Sequence, residues 1–186
     1  MAADGLVKFG VPGDEPYPWP KVWQREKTTG PERLRIACAD APVDLLLALA
    51  GATGHVEGFL LYVVARPVHV AKGRYQSPRL SLEKTSALLG RFRRFLESDG
   101  RHHVWIAFPP SPDLVVYDHH NLLFAYGALE SYESVLRTRG YSTGSVRISV
   151  PHTHHFHSEL SGEEDALLAS LPWIRSPERP GDHDGG

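Results

Sequence analysis

The chain predicts an α+β domain: a mostly antiparallel sheet with helices packed on one face, preceded by an extended Pro/Trp-rich N-terminal arm. Three observations carry that expectation. From residue 57 onward, runs of β-formers and amphipathic stretches alternate in an order resembling βαββαβ. Two of the strands, Leu114–Tyr117 and Leu122–Tyr126, are separated only by Asp118-His119-His120-Asn121, whose Asp and Asn suit a tight turn. The 186 residues are 41% hydrophobic and 23% charged, which is ordinary for one domain with its own core.

Residues 1–32 form the arm. Pro12, Pro16, Pro18, Pro20 and Pro31 favour extended or polyproline geometry. Tyr17, Trp19 and Trp23 are interleaved with them, and such rings are scarce in disordered segments. They are expected to dock on the domain or on a partner. The domain itself runs over residues 33–175. It opens with a short strand in which Leu34, Ile36 and Cys38 alternate with Arg33, Arg35 and Ala37. Asp40 then caps a helix with Pro42 in its first turn and Gly51 past its end. Phe59–Ala65 is an apolar strand, and Val68-His69-Val70 is a second strand after Arg66-Pro67.

Ser81 caps the clearest helix. Leu82, Leu88, Leu89, Phe92, Phe95 and Leu96 share one face, Lys84, Arg91 and Arg94 another, and Gly100 ends it. A strand at His103–Phe108 leads to the 114–126 pair. Gly127 opens a helix with Leu129, Tyr132, Val135 and Leu136 inward, closed by Gly140. Ser145–Val150 alternates as a strand. Ser161 and Glu164 fit a capping box for a last helix carrying Leu167, Leu168 and Leu171. Residues 176–186 read as a disordered tail.

Composition bounds the function. Cys38 is the single cysteine, so internal disulfides and Cys-based zinc frameworks are excluded. No apolar run reaches the length of a membrane span, and the N-terminus lacks the pattern of a signal peptide, so the expected location is cytoplasmic. Fifteen arginines against five lysines suggest a GC-rich, bacterial source. The net charge of −2 makes nucleic acid an unlikely partner. Residues 66–101 nevertheless carry nine basic and three acidic groups, whereas residues 102–186 carry five and eleven. A basic block of this kind can meet an acidic partner or is a solvated helix face.

The densest chemistry is Pro151-His152-Thr153-His154-His155-Phe156-His157, four imidazoles in six residues from 152 to 157. Histidine serves both metal binding and proton transfer near neutral pH. On an extended segment, His152 and His154 share one face and His155 and His157 the other. One such pair is half a zinc site, which needs three or four ligands. The candidate metal ligands are therefore His152, His154 and His157, joined by Asp118, His119 or His120 from the turn. The competing reading makes them ordinary structural histidines.

No dinucleotide, P-loop, His-Glu-x-x-His or Gly-x-Ser-x-Gly motif is present. With no complete catalytic motif, the first functional expectation is a non-catalytic cytosolic binding module that regulates or inhibits a protein partner. Trp19, Trp23, Arg91 and Arg94 are its candidate interaction residues. The second is a metal-dependent hydrolase using the histidines, with zinc or a similar divalent ion as cofactor. A third is a phosphate or nucleic-acid binder acting through Arg91, Arg94 and Arg101.

Overall fold

The computed structural model describes residues 5–13, 15–148 and 151–179. Its strands and helices follow in chain order. The arm supplies β1 (Phe9–Val11), β2 (Glu15–Pro16) and β3 (Val22–Glu26). Then come β4 (Arg33–Ala37), α1 (Pro42–Ala52), β5 (Glu57–Val64), β6 (Gly73–Ser81), α2 (Leu82–Arg91) and α3 (Arg93–Ser98). They are followed by β7 (His102–Ala107), β8 (Leu114–Tyr117), β9 (Leu122–Tyr126), α4 (Leu129–Thr138), β10 (Ser142–Thr143) and β11 (Thr153–His154). A 3-10 turn at Ser158–Leu160 leads into α5 (Ser161–Ala169), and β12 (Ile174–Ser176) closes the series.

The fold is α+β, as the sequence predicts. A nine-stranded sheet has the order β10-β3-β4-β9-β8-β7-β5-β6-β12 and is antiparallel except for the β10–β3 pair. Strand alternation sorts its two faces. Leu34, Ile36, Leu60, Tyr62, Val104, Ile106, Val115, Tyr117, Leu123 and Ala125 join α1–α5 in the main core. Ala37, Val116, Leu122 and Phe124 point to the opposite face, where Phe9, Trp19 and Val146 cover them. Phe9 belongs to a small sheet of order β11-β1-β2, a strap over this face. Gly10 makes the strap possible, because a Cβ there would collide with the Glu15 carbonyl oxygen.

Several local expectations are corrected. The N-terminal segment is extended, but its residues 22–26 are a strand of the main sheet, paired with β4. Trp19 (8% exposed) and Trp23 (1%) are packed inside this chain and so do not present their rings to a partner. Val68-His69-Val70 is not a strand. The strand that follows β5 and pairs with it is β6, disguised in the sequence by its charges and by Pro78. Proline cannot donate to a ladder, and here the register slips opposite Leu60, whose N–H donates to the Ser77 hydroxyl instead (2.9 Å).

The long helix expected after Ser81 is divided at Phe92 (φ −100°, ψ 15°), although Ser81 does cap its start by accepting from Lys84 N–H. Asp40 does not cap α1. Its carboxylate pairs with Lys21 at 3.1 Å, Ala41 holds the junction at φ 43°, and the Val43 N–H donates to Glu97 of α3 (3.0 Å). The capping box also fails, because Glu164 is turned inward and wholly buried. Residues 145–148 are not a strand, although Val146 is buried, and Val150 lies outside the described residues. The expected tail begins inside β12, where Ser176 pairs with Arg74, and residues 180–186 lie outside the described residues. No helix among the described residues is long and apolar enough to cross a membrane.

Candidate metal centre

The site forms where the strap crosses the end of the β7–β8–β9 meander. The turn between β8 and β9 is built around Asp118, which is 1% exposed. Its Oδ1 accepts from the backbone N–H groups of His120 and Leu122, both at 2.8 Å, and Asn121 closes the reversal at φ 57°. Asparagine is among the few residues other than glycine that tolerate this region. The result is a rigid turn that holds His119 and His120 side by side, ring centroids 4.0 Å apart.

The strap brings the second group. In β11, His154 pairs with Phe9 of β1, and His154 therefore lies over the turn. Its ring centroid is 4.7 Å from that of His119 and 4.8 Å from that of His120. His152 follows the same face at 5.5 Å from His154 and 6.0 Å from His120. The Phe9 ring lies 5.2–5.3 Å from His120, His152 and His154 and packs the group from one side. Trp19 fixes the turn from outside by donating its indole N–H to the His120 carbonyl (2.9 Å).

Hydrogen bonding leaves particular nitrogens unused. His120 Nδ1 lies 2.9 Å from Asp118 Oδ2, and His119 Nδ1 shares a 2.8 Å hydrogen bond with His103 Nε2. His154 Nδ1 is buried without a partner among the described residues. One ring nitrogen from each of His119, His120 and His154 lies within 4.8 Å of the others. A zinc ion bound to imidazoles at about 2.0–2.1 Å would need them roughly 3.4 Å apart, so small side-chain rotations close the set. A ligand histidine braced through its other nitrogen by a carboxylate is a recurrent arrangement in metal sites, and the Asp118–His120 pair reproduces it.

The electrostatics favour the coordinating form. Burial, reinforced by neighbouring imidazoles, pushes His119 down to about 2 and His154 down to about 4. Both rings are therefore neutral at physiological pH, as metal ligation requires. Burial alone would raise the Asp118 carboxyl, but its hydrogen bond to His120, the attraction of that ring and the hydrogen bond from the Leu122 backbone N–H outweigh it. The group lies below the usual carboxylate range.

Of the six residues singled out as ligands, His119, His120 and His154 come together, with His152 beside them and Asp118 as their brace. His157 does not join them. It faces away with His155, its Nε2 bonded to the Val7 carbonyl at 3.0 Å, while its backbone N–H donates to Asp99 (2.8 Å). Sequence reasoning missed His103. The signal was there: in an antiparallel hairpin where Val104 pairs with Tyr117, the preceding residue falls opposite Asp118.

The basic candidates are dispersed. Arg91 is exposed on α2, and Arg94 is exposed and bonded to Glu163 (2.8 Å). Arg101 is wholly buried and cannot face a phosphate. All five of its N–H donors are used, on Asp99 (twice), Glu164, Ser161 and the His157 carbonyl. Comparison with protein-family models, with curated proteins and with solved structures finds no match for this chain.

Proposed function

We propose that this protein binds a divalent transition metal, zinc in the first instance, through His119, His120 and His154, and uses it as a metal-dependent hydrolase. The observation behind this reading is the convergence of three imidazole nitrogens, within 4.8 Å of one another, from two segments distant in sequence. Imidazole suits zinc, copper and nickel rather than magnesium or calcium, which prefer oxygen. Three protein ligands leave a tetrahedral ion one position for water, whose proton the ion makes easier to remove. Asp118 would orient His120, His103 would orient His119, and His152 is the nearby imidazole placed to carry a proton.

Elemental analysis of tag-free protein tests the metal. About one zinc-class ion per chain is expected, falling to background in His120→Ala and His154→Ala. Protein with no bound metal and no thermal shift on adding zinc, nickel or copper would overturn the reading. Hydrolysis of p-nitrophenyl acetate tests the activity: turnover should need the ion and disappear in the same variants. A metal-loaded protein with no turnover beyond that of the variants would leave a metal-binding protein and remove the hydrolase.

A further inference from the structure

Beside Phe9 lies a cleft of about 190 Å³. Its walls include Lys8, Phe9, Tyr17, Trp19, Glu97 and Asn121. Lys8 is the unusual member. It is 1% exposed, and lysine is among the residues least often buried without an ionic partner. Its Nζ donates to the Leu96 carbonyl at 3.2 Å and sits 3.7 Å over the Tyr117 ring. Among the described residues no carboxylate lies within 4.0 Å of it. Arg101, also wholly buried, shows the contrast by taking two carboxylates.

We infer that Lys8 is an amine nucleophile that captures a small aromatic or apolar carbonyl compound in this cleft as an imine. A lysine held in apolar surroundings keeps its amine in the neutral, nucleophilic form, the usual means of activating a Schiff-base lysine. Burial indeed pushes Lys8 down to about 7, against the opposing pull of Asp118, Asp99 and Glu97. The volume suits the ligand, since a cavity of roughly 150 Å³ accommodates benzene. The rings of Phe9, Tyr17 and Trp19, packed with centroids 4.5–6.1 Å apart, supply an apolar wall.

The chemistry balances without an oxidant. The Nζ lone pair forms the C–N bond as the carbonyl π pair moves to oxygen. The amine proton passes to that oxygen, giving a carbinolamine. Loss of the hydroxyl with a second proton expels water and leaves the C=N bond. Glu97 lines the cleft with its Oε1 held by the Val43 N–H and by Arg93 at 3.3 Å, which leaves Oε2 as the atom to relay these protons; burial raises this carboxyl above the ordinary glutamate range.

The test treats folded protein at pH 7 with benzaldehyde and sodium cyanoborohydride, a hydride donor that reduces the imine to a stable secondary amine. Peptide mass spectrometry then follows each lysine with time. Lys8 should be modified at least about tenfold faster than Lys21, Lys27, Lys72 and Lys84, which serve as internal controls. Lys8→Met should lose the fast modification alone, and Glu97→Gln, which keeps the oxygen that caps α1, should slow it. Modification of the other four lysines with Lys8 untouched would overturn the inference, even if Lys8→Met did not fold.

Discussion

Two groups of buried polar side chains lie close in this sequence and are built on opposite principles. Around Arg101 every valence is used. The guanidinium meets Asp99 through two 2.8 Å bonds and Glu164 at 3.0 Å, and Glu164 also accepts from the Tyr62 hydroxyl at 2.5 Å. Around His119 the histidines brace one another on one side and leave nitrogens over on the other, His154 Nδ1 among them. Burying an unsatisfied polar atom costs about 1–3 kcal/mol. A closed network that offsets that cost reads as structure. An open one, tolerated at such cost, reads as a place for something to bind.

The sharpest way to break this contrast is to open the closed network. Arg101→Met would leave Asp99 and Glu164 buried without their cation, and the expected loss is roughly 3–5 kcal/mol in urea unfolding. A loss below 1 kcal/mol would mean that the network is no more structural than the histidines.

Lys8 gives the next effect. The folded protein holds its proton less tightly than the unfolded chain, with Lys8 at about 7 against 10.5. Between those values the unfolded state binds more protons, so stability rises with pH across that window and is independent of this group below it. From pH 7 to 9.5 the wild type should gain roughly 3 kcal/mol from Lys8, and Lys8→Met should gain none of it. Paired urea titrations at the two pH values measure the difference.

Asp118→Asn sharpens the open side. It keeps the oxygen that caps the turn but weakens the brace on His120. Zinc affinity measured by chelator competition should fall about 10–100-fold with little change in the metal-free melting temperature. The smallest effect belongs to the surface. Arg94→Ala removes a 45%-exposed side chain bonded to Glu163, and its cost should stay within about 1 kcal/mol.

Most of the sheet was legible from local pattern. β4, β5, β7, β8 and β9 are runs of alternating or continuous apolar residues, and the Asp118–Asn121 turn declared itself by residue type. β6 was not legible, because Pro78 and its charged neighbours hide a strand whose bulge is completed by a Ser77 bond to another strand. Two of the three expected caps fail for a related reason. Asp40 and Glu164 were each given a local partner by proximity, and each found a better one far along the chain, at Lys21 and Arg101.

The histidine group divides in the same way. Strand parity by itself put His152 and His154 on one face and His155 and His157 on the other, because alternation is a property of an extended backbone. Whether either pair would meet the Asp118–Asn121 turn depended on long-range pairing. Only the docking of β11 on β1, and of that strap over the β8–β9 turn, decided that His154 would join His119 and His120 while the His157 ring turned to the Val7 carbonyl. The physical reason is range: periodicity and turn chemistry act over a few residues. A three-imidazole cluster drawn from residues 119–120 and 154 exists only once the sheet has ordered the chain between them.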